Sequence, residues 1–249
     1  MEKKILLVDD ELKIREMFYE LFSLRGYKII TAPGGEEGIE ILKKEKVDLV
    51  LLDIKMETID GIETLKRIRE FDSRTKIIML TALEDEELDR QARLNGATGL
   101  MRKSWGILTI AKIVSSLLDE KLEFSEDKKR ILIADDEPEV CALLKDFLTK
   151  KGFKPTIAIS GEEALEKVKQ DNPVIVLLDI NMPGMDGLMT LKKIKEIGEH
   201  IGIIVITGMA DANIAEQAIK LGVYDYIVKP VNLNYLEFCL ISKIILSNA

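Results

Sequence analysis

The sequence predicts an α/β protein built as two doubly wound, five-stranded parallel sheets in tandem. Three observations predict it. The chain has 249 residues, and at about 100–200 residues per domain that is two domains or one large one. It repeats itself at a fixed offset of 126, as in 135 − 9, 179 − 53 and 229 − 103. Each copy also alternates short apolar runs with amphipathic segments, the pattern of a parallel sheet covered by helices on both faces.

The repeat fixes the architecture, because a period this long is a whole domain and not a solenoid unit. Asp9 and Asp10 match Asp135 and Asp136, Gly26 matches Gly152, and Glu36-Glu37 match Glu162-Glu163. Asp53 matches Asp179, Asp60-Gly61 match Asp186-Gly187, Thr81 matches Thr207, and Lys103 matches Lys229.

In the first copy KKILLVD reads as a short apolar strand. A helix follows over residues 11–25, where Ile14, Met17, Phe18, Leu21 and Phe22 fall at helical spacing. Val140, Leu143, Leu144, Phe147 and Leu148 repeat that spacing in the second copy. Gly26 and Gly152 come next, where a helix ends. YKIITA, VDLVLLD, KIIMLTA and TGLMRK are the remaining strands, with charged amphipathic helices between them. Gly35 with Glu36 and Glu37 opens a helix, where acids favour the dipole. GGEEG, residues 34–38, lacks the order of a dinucleotide fingerprint. The last helix of the first copy covers Ile107 to Leu118. In DEKLEFSEDKKR, residues 119–130, nine of twelve residues are charged, and the apolar period is lost. The expected division is a first domain over 1–121, a charged linker over 122–128 and a second domain over 129–249.

Composition narrows the function. Lys and Arg number 36 against 44 Asp and Glu, a net charge of −8. A nucleic-acid binder shows a basic footprint, so no direct nucleic-acid partner is expected. No run approaches the ~18 apolar residues of a membrane helix, and MEKKILLVDD is too short in apolar core for a signal peptide. The expected compartment is the cytosol, without membrane insertion. Cys141 and Cys239 lack metal-type spacing and read as small buried side chains. His200, the only histidine, sits in a loop and is expected to have no phosphotransfer role; Trp105 is expected to pack.

The acids carry the chemistry. Ligands of an open parallel α/β sheet bind beyond the carboxyl ends of its strands. Asp9 and Asp10 end the first strand, Asp53 the third, Thr81 the fourth and Lys103 the fifth, so all five share one rim. Asp135, Asp136, Asp179, Thr207 and Lys229 repeat the set. Three converging carboxylates repel one another, and one would be driven toward its neutral form without a cation. One lysine cannot neutralise three acids. All-oxygen ligands suit Mg²⁺, and the set reads as a phosphoryl site: metal on the acids, Lys and Thr on phosphoryl oxygens, the third-strand aspartate as nucleophile.

On these residues each half resembles the receiver domain of two-component response regulators, a flavodoxin-like fold, over nearly the whole chain. The resemblance implies that Asp53 and Asp179 accept phosphate from a phosphohistidine on a sensor histidine kinase or a histidine phosphotransfer protein. It implies that Asp10 and Asp136 ligate Mg²⁺ directly and that Asp9 and Asp135 help through water. The backbone carbonyls of Lys55 and Asn181 would complete the ligand set around Asp53 and Asp179. Thr207 with Tyr226, three residues before Lys229, would form the aromatic switch. Since the two units fill nearly the whole sequence, output is expected through a downstream protein. Self-association as a homodimer is compatible with this. Phosphorylation would be self-modification assisted by Mg²⁺, not enzymatic turnover.

The first copy departs from the family pattern at three places. KMETIDG puts Glu57 where the twin has Pro183. Ser104 follows Lys103 where the twin has Pro230, so the family's cis Lys-Pro bond would cost about 3 kcal/mol here unless the Lys103 loop takes another path. Leu100 replaces Tyr226, removing the switch. Lys55 against Asn181 and Leu83 against Met209 flank the attacking water in the family, so different phosphoryl lifetimes are expected. Two alternatives stay open. One is a haloacid-dehalogenase-like phosphatase, which needs an acid where Lys55 and Asn181 stand. The other is a scaffold whose first receiver is a non-phosphorylated pseudo-receiver used for dimerisation.

Overall fold

The computed structural model describes residues 2–82, 85–118, 124–208 and 212–247. Contacts divide the chain into two units, Met1–Leu118 and Asp119–Ala249. The first unit runs β1 (Lys4–Val8), α1 (Leu12–Leu24), β2 (Lys28–Ala32), α2 (Gly35–Lys44), β3 (Leu49–Asp53), α3 (Gly61–Phe71), β4 (Lys76–Thr81), α4 (Glu86–Leu94), β5 (Gly99–Arg102) and α5 (Ile107–Leu118). The second runs β6 (Arg130–Ala134), α6 (Pro138–Lys150), β7 (Lys154–Ala158), α7 (Gly161–Asp171), β8 (Ile175–Leu178), α8 (Gly187–Ile197), β9 (Gly202–Thr207), α9 (Ala212–Lys220), β10 (Asp225–Val228) and α10 (Leu233–Leu246).

Each unit holds one five-stranded sheet, ordered β2-β1-β3-β4-β5 and β10-β9-β8-β6-β7. Every pairing is parallel. The order explains the composition of the strands. β1, β3 and β4 lie inside the sheet with helices on both faces, so LVLLD in β3 is buried at every position. Leu6, Val8, Val50, Leu52, Ile77 and Met79 form one core with Ile39 of α2 and Ile62, Leu65 and Ile68 of α3. The intervening strand residues are equally buried, as are Phe18 and Phe22 of α1 and Ile110, Ile113 and Val114 of α5. Leu132, Ala134, Val176, Leu178, Ile203 and Val205 repeat the first layer in the second unit.

The apolar stripe of the first helix is narrower than its spacing suggests. Met17 and Leu143 lie on the exposed margin, at 41% and 52%. Phe18 and Phe22 make the contact in α1, while Cys141, Leu144 and Leu148 make it in α6. Both cysteines are buried thiols. Gly26 and Gly152 end these helices with φ near +82° and +83°, a backbone angle that side-chain-bearing residues avoid. Residues 122 and 123 of the expected linker, and 119–121 before it, lie outside the described residues. Residues 126–128 fall within a short 3₁₀ turn, Glu126–Lys129, whose Glu126 pairs with Lys129 and with Lys154.

Two glycines set the approach of helix to strand. A Cβ on Gly61 would sit 2.1 Å from the carbonyl oxygen of Asp53, and one on Gly187 would sit 2.4 Å from the Cα of Ile180. The preceding Asp60 caps α3 by accepting from the Glu63 N–H at 2.8 Å, and Asp186 caps α8 by accepting from Leu188. The repeated Asp-Gly pair therefore starts a helix hard against the end of the central strand. Gly61→Ala should destabilise the first unit by roughly 1–3 kcal/mol, because the obstructing atom is backbone and cannot rotate away. Urea unfolding followed by the fluorescence of Trp105, the chain's single tryptophan, should show the lower midpoint. An unchanged midpoint would contradict the close approach.

Candidate functional site

Parallel order brings the polar strand ends together. Asp9 and Asp10 follow β1, Asp53 closes β3, Thr81 closes β4, and Lys103 follows β5. Asp9, Asp53 and Thr81 are nearly inaccessible. One carboxylate oxygen from each of Asp9, Asp10 and Asp53 lies within 4.8 Å of the others, and Asp135, Asp136 and Asp179 are gathered equally closely. The expected convergence is present in both units.

A lysine lies against each cluster. The Lys103 ammonium donates to Asp9 Oδ2 at 2.9 Å and stands 3.1 Å from Asp53 Oδ1. Lys229 stands 2.9 Å from Asp135 Oδ2 and donates to Asp179 Oδ2 at 2.7 Å. It also donates to Glu137 Oε1 at 2.6 Å, whereas Lys103 is 3.6 Å from Glu11. Backbone N–H groups of Glu11 and Glu137 donate to Oδ1 of Asp9 and Asp135, each at 2.9 Å. Glu11 and Glu137 are contacts that sequence analysis missed. They obey the same offset of 126 (137 − 11), so the repeat itself carried the signal.

Burial dominates the electrostatics. It pushes the Asp53 carboxyl up from its ordinary 3.8 to about 6; Lys103 opposes the rise, while Asp9 and Asp10 reinforce it. Burial also raises Asp135 against its bond to Lys229. For Lys103, burial would lower the value, but hydrogen bonding to Asp9 and the charge of Asp53 carry it above the usual lysine range. Lys229 is likewise raised: bonds to Asp179, Glu137 and Asp135 outweigh burial. Clustered carboxylate oxygens with a single ammonium fit a hard divalent ion, which takes oxygen ligands and tolerates retained water.

The comparisons name the family. The family model for the response regulator receiver domain matches residues 5–115 and 131–239. The chain belongs to the response regulator receiver domain family. Over 103 residues, 41% of this chain and 86% of the relative, it is 43% identical to the chemotaxis protein CheY of Thermotoga maritima (strain ATCC 43589 / DSM 3109 / JCM 10099 / NBRC 100826 / MSB8). Over 121 residues, 49% of this chain and 98% of the relative, it is 36% identical to sporulation initiation phosphotransferase F of Bacillus subtilis (strain 168). It spans 26% of the transcriptional regulatory protein ZraR of Escherichia coli (strain K12), with 34% identity over 113 residues, 45% of this chain.

The two receivers differ around the shared constellation. In the second, Lys229-Pro230 is cis. In the first, Lys103-Ser104 is not, and the Lys103 loop takes the other path as a 3₁₀ turn over Lys103–Trp105. Trp105 is half-buried in that turn. Glu57 donates its N–H to Asp10 Oδ2 at 3.1 Å, a bond that Pro183 has no hydrogen to make. Asn181 donates its N–H to Asp179 Oδ1 and its side-chain amide to Thr207 Oγ1, both at 2.9 Å. Lys55, at the matching position, is exposed and lines an open cleft of about 590 Å³ with Asp10, Glu57, Lys66 and Leu88.

Tyr226 is half-buried against the core of the second receiver, and Leu100 takes its place in the first. There Arg102 and Asp89 form an ion pair at 2.6 Å between β5 and α4; the twin positions are Val228 and Ala215. Sequence analysis missed this pair because it is absent from the other copy. Half-buried Arg15 donates to the carbonyl oxygens of Asp9 and Asp10, at 2.6 and 2.9 Å. Cys141 stands there in the second receiver, 3.2 Å from the Asp135 carbonyl. His200 is exposed in a turn. Leu83 and Met209 lie outside the described residues.

The raised Asp53 carboxyl links stability to pH. The folded state holds this proton more tightly than the unfolded one, so the stabilisation is present below about pH 4 and is lost as pH rises through 6. At ~1.4 kcal/mol per pH unit the loss is of order 2–3 kcal/mol. In chelator-containing buffer, Asp53→Asn should therefore unfold at higher urea than wild type at pH 7.5, with the gap closing toward pH 4. A gap that is independent of pH would contradict the assignment.

Proposed function

We propose that the chain is a two-component or phosphorelay signalling protein whose two receivers each accept a phosphoryl group, on Asp53 and on Asp179. The donor is a phosphohistidine of a sensor histidine kinase or a histidine phosphotransfer protein. A carboxylate oxygen attacks phosphorus, the N–P bond breaks, and the leaving imidazole takes a proton. The supporting observation is the pairing of each buried third-strand aspartate with a lysine inside a cluster of acids.

Asp10 and Asp136, assisted by Asp9 and Asp135, would hold Mg²⁺ beside the nucleophile. Bound there, the ion supplies charge neutralisation for the phosphoryl oxygens. Lys103 and Lys229 exchange carboxylate contacts for phosphoryl contacts, and Thr81 and Thr207 offer hydroxyls from the neighbouring strand. In the second receiver, Thr207 must leave Asn181 to do so. Tyr226, on the strand paired with β9, then reports the change to a downstream protein. The added charge, about −1.5 to −2, is what biases the surface. The phosphoryl transfer modifies the chain itself and turns over no separate substrate.

Acetyl phosphate with Mg²⁺, followed by intact mass measurement, tests this directly. Wild type should gain two phosphoryl groups, Asp53→Ala and Asp179→Ala one each, and the double variant none. A single site in wild type at Asp179 would make the first receiver a pseudo-receiver. Addition that persists in the double variant would refute the assignment. The lifetimes should also differ, since Lys55 and Asn181 flank the two aspartates differently; equal half-lives of the two single variants would count against that expectation.

A further inference from the structure

We infer that the two receivers fill with divalent cation at different concentrations, the second before the first, and that Arg15 is the main cause. The inference rests on the proposed metal-assisted phosphorylation and adds an order of loading to it. Fixed charge differs around two otherwise matched clusters. Each has three gathered carboxylates, one lysine bonded to two of them, and an exposed glutamate near that lysine.

The first cluster carries more. Arg15 lies behind the acid pair, its guanidinium bonded to the carbonyl oxygens of both Asp9 and Asp10. A guanidinium keeps its charge at every accessible pH. The same position in the second unit is Cys141, a neutral thiol. Lys55 adds a second cation where the second unit has Asn181, and Glu57 adds one anion where it has Pro183. Both of these side chains are exposed, so solvent screens them more than half-buried Arg15. The balance leaves the first site one positive charge richer.

Hydrogen bonding points the same way. Asp10 Oδ2 already accepts from the Glu57 N–H, so its negative charge is partly satisfied without a metal. Pro183 offers Asp136 nothing comparable, and Asp136 is exposed to solvent while Asp10 is half-buried. At the second site Asp135 and Asp179 likewise accept backbone N–H groups, from Glu137 and Asn181, so the hydrogen-bond contrast is confined to Asp10 against Asp136, and the main difference a metal meets is the charge of Arg15. A unit charge about 8 Å from a divalent ion in aqueous surroundings corresponds to roughly a fivefold change in affinity.

Arg15 thus acts on the metal by its charge, from behind the acid pair. Mn²⁺, which shares the preference for oxygen ligands, serves as the probe, with free ion counted by electron paramagnetic resonance. Wild type should show two classes of site at least about fivefold apart. Asp136→Asn should remove the tighter class and Asp10→Asn the weaker. Arg15→Cys should tighten the weak class by about fivefold, Arg15→Lys should not, and Cys141→Arg should weaken the tight class by a similar factor. Raising ionic strength should narrow the wild-type gap, which a purely structural role of Arg15 would leave unchanged. Circular dichroism confirms that each variant is folded, and the reciprocal substitution carries the test if Arg15→Cys is not. Equal affinities, a tighter first site, or variants that move neither class would overturn the inference while leaving the proposed function standing. No Mn²⁺ binding at either site would remove the proposed function itself.

Discussion

Mutual repulsion among three carboxylates is the constraint around which each unit is organised. Left in water they would separate; here, main-chain geometry forbids it. Two of them follow β1 and the third ends the adjacent strand, so the sheet's own hydrogen bonds fix their spacing within 4.8 Å. The sheet keeps that register because its central strands are buried on both faces. The apolar core thus holds the cluster in place, and the Asp53 carboxyl is raised chiefly by its burial there, with Asp9 and Asp10 adding to the rise and Lys103 opposing it. The lysine beyond the fifth strand relieves only part of it. What remains is a demand for positive charge, which a divalent ion can meet.

Duplication lets the same constraint be met in two ways. The second receiver keeps Pro183, Tyr226 and the cis Lys229-Pro230 bond. The first replaces the proline by a residue whose N–H reaches Asp10, the aromatic ring by a leucine, and the cis bond by a 3₁₀ turn. It also ties β5 to α4 with the Arg102–Asp89 pair, where the second receiver has Val228 and Ala215. These changes fall on the strands and loops through which a change at the phosphoryl site would be felt. The two units therefore share the acid–lysine constellation and differ in the residues that surround it.

Much of this was legible in the sequence, for physical reasons. The apolar runs of the central strands mark a sheet buried on both faces, and the rule that ligands bind at the carboxyl ends of such strands gathers Asp9, Asp10, Asp53, Thr81 and Lys103 without coordinates. The offset of 126 doubled the signal at every one of these positions. What stayed hidden depends on where side chains and backbone groups end up. Arg15 was invisible because its partners are carbonyl oxygens, which sequence does not distinguish. Glu57 is legible in sequence only as a replacement for proline, and the contact its backbone N–H makes to Asp10 is not. Met17 and Leu143 were assigned to the core stripe because helical spacing does not tell the buried face from its margin. Glu11 and Glu137 were overlooked although they repeat.

Anomalous diffraction from crystals grown with Mn²⁺ would test the central claim most directly. The account predicts one anomalous peak in each unit, within ligand distance of carboxylate oxygens from Asp10 and Asp53 in the first and from Asp136 and Asp179 in the second. Peaks confined to other acidic surface residues, or acid clusters splayed apart with no metal between them, would contradict it.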